Sequence, residues 1–200
     1  MQTDPTPSPA DELATAGRQA SPAGAASNAA APGARAQPGS PRRANAAFML
    51  THPLHIISLG FGSGLSRLAP GTAGTLFAWA SFEVLNRYLS VTEWGLLIVA
   101  GFFAGIGITG FTANKLRTED TSAIVWDEIV AFWLVMLMIT PVDFVSRLAA
   151  FFVFRFFDIV KPPPIRYFYR RFKGGLGIML DDIVAAFFTL LVIALWRMSV

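Results

Sequence analysis

Five carboxylates stand in or beside apolar stretches of this chain: Asp127, Glu128, Asp158, Asp181 and Asp182. Two basic residues flank Asp158 at three-residue spacing, Arg155 before it and Lys161 after it. Carboxylates held close together repel, so they take up protons or share a cation. Hard oxygen donors in such a cluster suit Mg²⁺, which often bridges to a substrate phosphate. Ionisable groups within membrane segments are costly and usually functional. Local roles are open for the same residues. Acids suit the first turn of a helix, where they oppose the dipole, and Arg155 with Asp158 has the spacing of an intrahelical ion pair.

Anion-facing chemistry is written elsewhere. The string GFGSGLSRLAPGTAGT (Gly60–Thr75) is rich in glycine. Its Gly62, Ser63 and Gly64 offer backbone N–H groups for an anion-binding nest. Thr72 or Thr75 could cap the helix that follows, whose N-terminus also favours anions. The string lacks the terminal GK[ST] of a phosphate-binding P-loop. The stretch Lys161–Gly177 carries Lys161, Arg166, Arg170, Arg171 and Lys173 and no acid. It suits either anionic lipid heads in general or one lipid phosphate, with Lys161 the best placed. Tyr167, Phe168 and Tyr169 read as an interfacial anchor, and Pro162–Pro164 stiffen the start of the stretch.

Other chemistries drop out. There is no Cys, hence no disulfide framework, thiolate metal site or cysteine nucleophile. His52 and His55 are the only histidines. They read as interfacial polar residues ahead of a proton shuttle or metal ligands. The motifs of histidine- or aspartyl-phosphoenzyme hydrolases and of membrane CDP-alcohol transferases are absent. A net charge of +3 with no nucleic-acid motif predicts no nucleic-acid partner.

These groups need a scaffold, and the composition says which kind. The chain has 200 residues, 54% hydrophobic and 14% charged. A soluble domain has about 45–50% and about 25%. Residues 1–45 are rich in Ala, Pro, Ser and Gly, have no aromatic residue, and read as a disordered arm. The apolar content therefore sits in residues 46–200, which read as a membrane-embedded domain. Its apolar segments are about Thr72–Leu89, Trp94–Asn114, Ile124–Pro141, Phe144–Val160 and Ile178–Met198. The expected fold is all-α, a multi-pass bundle of four to five membrane helices. Glu83 and Arg87 could pair within the first. Gly101 and Gly105 form a GxxxG that lets another helix approach closely. With the N-terminus inside, twelve of the sixteen Lys and Arg fall on the inner side. The positive-inside rule favours that orientation, and it gathers the acidic groups at the cytoplasmic face.

Four blocks in order, GFGSGLSRLAPGTAGT, SAIVWDE, FRFFDIVKPPPIR and GGLGIMLDDIVA, closely resemble the phosphatidylglycerophosphatase A family. The resemblance implies a multi-pass enzyme of the bacterial cytoplasmic (inner) membrane. Such an enzyme is Mg²⁺-dependent and hydrolyses phosphatidylglycerophosphate to phosphatidylglycerol and phosphate among membrane phospholipids. Matched position by position, the family's acidic motif residues fall on Asp127, Glu128, Asp158, Asp181 and Asp182, and its basic ones on Arg155 and Lys161. Two positions depart from the pattern. Arg67 stands where many members have Pro, and Tyr169 where many have an acid. Arg67 is therefore not carried over as catalytic.

The expected chemistry is metal-assisted phosphate-monoester hydrolysis. Mg²⁺ would be held by some of the five acids. One remaining carboxylate would position or deprotonate water, with Arg155 and Lys161 stabilising phosphoryl charge. A covalent aspartyl-phosphate stays open beside direct attack. A cation channel or transporter using the acidic cluster is the alternative, although transport sites tend to lie near the midplane. A lipid-binding protein without chemistry is a third reading. Oligomeric state is not legible.

Overall fold

A computed structural model describes residues 44–116, 122–161, 163 and 174–199. The expectations for the N-terminal arm (apart from Ala44 and Asn45), for Arg166, Arg170, Arg171 and Lys173, and for the anchor Tyr167–Tyr169 lie outside the described residues. The described part is all helical, as expected, and falls within the compact unit Pro38–Val200.

Two short helices lead in, α1 (Ala46–Met49) and α2 (Pro53–Ser58), followed by a 3₁₀ turn at Gly60–Leu65. Five longer helices follow: α3 (Pro70–Leu85), α4 (Val91–Leu116), α5 (Trp126–Ile139), α6 (Phe144–Val160) and α7 (Gly175–Ser199). Local sequence sets their limits. Pro70 opens α3, where a missing N–H costs nothing. Ser90 and Glu93 form a reciprocal capping box before α4, with the Ser90 N–H donating to Glu93 Oε2 at 2.7 Å. Asp143 caps α6 by accepting from the N–H groups of Val145 and Ser146.

The five apolar segments are all helices, but the expected number of membrane crossings is corrected. Among the described residues only α4 and α7, with 26 and 25 residues, are long and apolar enough to cross a membrane. Helices α3, α5 and α6 have 16, 14 and 17 residues. At 1.5 Å per residue they reach about 21–26 Å, short of the roughly 30 Å hydrocarbon core. The apolar runs of α3 and α5 overstate the helix, because an apolar residue also sits comfortably in a cap or turn, while that of α6 matches its 17-residue helix. The Glu83–Arg87 pair is also replaced. Helix α3 ends at Leu85, so Arg87 leaves the helix face, and Glu83 instead pairs with Arg147 of α6 at 2.5 Å.

Helix α5 is the core of the bundle, with Ile129–Phe132, Val135 and Met136 fully buried. It packs against α3, α4, α6 and α7, and α7 packs against α4 and α6. The small residues of α4 act as expected. A Cβ on Gly101 would lie 3.2 Å from Val130, and one on Gly105 would lie 2.6 Å from Met179. The closest crossing is at Gly175, where a Cβ would run into the carbonyl oxygen of Ile106. This packing brings the starts of α3, α5 and α7 to the same end of the bundle as the close of α6.

Candidate functional site

All seven residues expected to be catalytic line one cavity of about 520 Å³ at that end. Asp127 and Glu128 come from the first turn of α5. Arg155 and Asp158 come from the last turns of α6, and Lys161 from its C-cap. Asp181 and Asp182 come from α7. That helix begins at Gly175, so these two acids lie in its second turn, not its first. A dipole that fades within the first turn cannot account for them.

The charges form a graded network. Arg155 Nη1 lies 2.5 Å from Asp158 Oδ2 and 3.5 Å from Glu128 Oε1. Lys161 Nζ bonds Asp181 Oδ2 and stands 3.9 Å from Asp158 Oδ1. Lys161 adopts left-handed backbone geometry (φ 44°), unusual for a residue with a side chain, as it turns off α6. Burial alone would lower the Lys161 pKa. The carboxylates of Asp182, Asp181 and Asp158 outweigh it and hold the ammonium above its ordinary range.

Among the described residues, two cations do not balance five carboxylates. Glu128, Asp158, Asp181 and Asp182 are each less than a tenth exposed. Asp127 Oδ1, Glu128 Oε2, Asp181 Oδ1 and Asp182 Oδ2 are buried without a hydrogen-bond partner. Burial, then the nearby Asp158, pushes the Asp127 carboxyl up to about 7. Burial and then Asp127 and Asp158 raise Glu128 well above its ordinary value, against the pull of Arg155. Buried charge of one sign without a partner is costly. Protons or a cation would relieve it.

The arrangement fits a cation. Asp127, Glu128 and Asp182 each offer an oxygen, and these atoms lie within 4.8 Å of one another. An all-oxygen donor set of this kind suits Mg²⁺. Asp158 and Asp181, the other expected ligands, face Arg155 and Lys161 instead.

The residues expected to bind the anion divide differently. Gly62, Ser63 and Gly64 do not line the cavity. The N–H groups of Gly62 and Gly64 both donate to Leu59 O, and Ser63 Oγ donates to Gly60 O. Those donors are spent within the turn. Thr72 and Thr75 do not cap α3; Ala69 holds that position. The Thr75 hydroxyl donates to Gly71 O at 2.9 Å and accepts from Arg155 Nη1 at 3.4 Å, behind the cavity wall. Arg67 is exposed and away from the cavity. His52 Nδ1 accepts from the Leu54 N–H, and His55 Nδ1 lies 3.0 Å from Thr112 Oγ1 in an aromatic cluster. Neither histidine lines the cavity.

Sequence reasoning missed Ala69, Pro70 and Gly71, which form one wall. A Cβ on Gly71 would collide with Glu128 Oε1 and lie 2.8 Å from Arg155 Nη2. The Pro-Gly pair at a helix start was the available signal, overshadowed by the denser glycines before it.

Residues 56–197 match the sequence profile of the family described as Phosphatidylglycerophosphatase A. A protein of that name from Escherichia coli (strain K12) is 39% identical over 136 residues, covering 68% of this chain and 78% of the relative. One from Haemophilus influenzae is 39% identical over 144 residues, covering 72% and 88%. A Bacteroides thetaiotaomicron protein, provisionally named as a phosphatidylinositol-3-phosphatase, is 41% identical over 152 residues, covering 71% and 92%. No solved structure matches the chain.

Proposed function

The chain belongs to the phosphatidylglycerophosphatase A family, a family of phosphatases, and from that premise we propose that it hydrolyses phosphatidylglycerophosphate to phosphatidylglycerol and phosphate. One observation carries the reading at this chain's own residues: partnerless carboxylate oxygens, Arg155 and Lys161 share one cavity. That combination suits a divalent cation with a phosphate monoester, whose negative charge needs cations and whose metal needs acids.

Asp127, Glu128 and Asp182 would hold Mg²⁺. When bound there, the metal supplies Lewis acidity that neutralises phosphoryl charge and makes water a better nucleophile. Arg155 and Lys161 contribute fixed positive charge toward the phosphoryl oxygens, where charge grows in the transition state. Asp158 steadies both cations. Asp181 holds Lys161 through Oδ2 and keeps Oδ1 partnerless. That oxygen is suited to accept a proton from the attacking water. Water oxygen bonds to phosphorus, the bond from phosphorus to the glycerol oxygen breaks, and the leaving oxygen gains a proton. Direct attack needs no further group, so it is preferred here to a covalent phosphoenzyme.

Helices α4 and α7 would cross the bacterial inner membrane, a multi-pass placement with the cavity and N-terminus toward the cytoplasm. The distribution of Lys and Arg along the sequence supports that orientation. The outward side chains Phe144, Val145, Phe152, Phe156 and Ile159 of α6 are exposed and apolar, as lipid contact requires. The test is phosphate release from phosphatidylglycerophosphate by the full chain in detergent, with Mg²⁺ or with EDTA. Release with Mg²⁺ that stops in EDTA is expected. No release from folded protein with Mg²⁺ would defeat the reading.

A further inference from the structure

Within this cavity few places can hold an anion. Five carboxylates line it, and among the described residues the positive side chains at it are Arg155 and Lys161. Lys161 is engaged by Asp181 and faces Asp158. Helices α3 and α5 both start at the cavity without a side-chain cap, but the first turn of α5 carries Asp127 and Glu128 while that of α3 carries no acid. Ala69, Pro70 and Gly71 form its wall, and no side chain caps the helix. Ala73 donates to Ala69 O and so closes the first helical bond. The N–H groups of Gly71 and Thr72 come before that bond and have no acceptor within the helix. The aligned peptides of a 16-residue helix add partial positive charge there.

Two further observations point to a ligand at this spot. The Arg155 guanidinium lies directly over Gly71, with Nη2 and Nη1 at 2.8 and 3.0 Å from where a Cβ would stand. Glu128, whose Oε1 lies against Gly71, and Asp182 line the same cavity; their Oε2 and Oδ2 are buried without partners, and both residues are more than nine-tenths buried. Anion-binding donors thus meet cation-binding acceptors across one cavity, the arrangement a phosphate bridged to a metal requires.

We propose that the first turn of α3 is the phosphoryl-binding subsite, with the Gly71 and Thr72 N–H groups and the Arg155 guanidinium as its donors. This rests on the phosphatase reading and moves the anion site away from the glycine turn at Gly60–Leu65. It also gives Gly71 a specific role. Any side chain there would displace both Glu128 and Arg155, so the bare Cα keeps subsite and metal ligands in contact. The ligand class is a phosphate monoester dianion or free phosphate.

The test uses the full chain in detergent with Mg²⁺, titrated with inorganic phosphate. Amide NMR of protein ¹⁵N-labelled at Gly and Thr reads binding without turnover. The Gly71 and Thr72 amides should shift most, and Gly62 and Gly64 should stay in place. Thr72→Pro removes one donor where no helical bond is lost. It should weaken phosphate binding about tenfold or more, the effect of one hydrogen bond to a charged group. Still amides at Gly71 and Thr72, whether phosphate moves other residues or none, would overturn the proposal even if Thr72→Pro failed to fold. Unchanged phosphate affinity in folded Thr72→Pro would overturn it too. Either result would leave lipid hydrolysis by the unaltered chain standing. Conversely, shifted amides without any lipid hydrolysis would defeat the phosphatase reading and keep the anion subsite.

Discussion

Arg155 and Asp158 stand one turn apart on α6 and form a buried ion pair at 2.5 Å, in which Asp158 also faces Lys161. One carboxylate thereby orients both Arg155 and Lys161. Asp158→Asn keeps the shape and removes the charge. It should lower kcat/KM about a hundredfold, the scale of losing one transition-state donor, with the Mg²⁺ requirement unchanged. Steady-state kinetics across a Mg²⁺ titration checks both halves. A shifted Mg²⁺ midpoint would mean that Asp158 is a metal ligand.

Excess negative charge has a cost in stability that the metal should offset. Mg²⁺ at a hundred times its dissociation constant should stabilise the fold by about 2.7 kcal/mol. Asp127→Asn should melt higher than the unaltered chain in EDTA, because it relieves the repulsion among Asp127, Glu128 and Asp158. It should also lose most of the Mg²⁺-dependent rise. Thermal melting of both proteins, with EDTA and with Mg²⁺, checks this.

The crossing of α4 and α7 carries the acids of α7 to the site. Gly175→Ala places a methyl against the Ile106 carbonyl oxygen. It should cost about 1–3 kcal/mol as overpacking and reduce activity, although Gly175 does not line the cavity. Gly107→Ala is the matched control, since a Cβ there meets nothing within 4 Å. It should be neutral or stabilise by up to about 1 kcal/mol through helix propensity. Melting and turnover of the two variants check the contrast.

Acid should loosen the α2–α4 contact independently of the site. Burial, then His52 and Lys115, lowers the His55 pKa below its ordinary 6.5. The undocked form therefore binds more protons, and docking stability rises with pH. Its contribution is complete above pH 6.5 and lost as pH falls from there through the docked value. Protection of α2 amides against hydrogen exchange, corrected for the intrinsic rate at each pH, should fall as pH drops below about 6.5. His55→Phe should flatten that dependence.

Much of the site was legible because its residues are chemically improbable where they stand. Asp181 and Asp182 inside an apolar run stand out against the cost of burying charge, and so does Asp158 between Arg155 and Lys161. The sorting of these acids was not legible. Asp158 and Asp181 face cations, while Asp127, Glu128 and Asp182 converge. That division depends on how α5, α6 and α7 cross, which composition does not encode. Gly71 was hidden for a similar reason, since its importance lies in contacts with Glu128 and Arg155 from distant segments. The extents of α3 and α5 were overestimated, because hydropathy marks what is shielded from water and not where a helix ends, whereas α6 runs over the expected Phe144–Val160 and is short of a full crossing.

The most direct test of the account is phosphate release by Asp182→Asn, measured beside Asp181→Asn and the unaltered chain over a Mg²⁺ titration. As a ligand, Asp182 should be needed for both turnover and metal affinity. Its variant should lose about a thousandfold or more in kcat/KM, about 4 kcal/mol, together with the Mg²⁺-dependent rise in melting temperature. Asp181→Asn should lose turnover and keep that rise. An Asp182→Asn protein that releases phosphate at a near-normal rate, with an unchanged Mg²⁺ midpoint, would contradict the account.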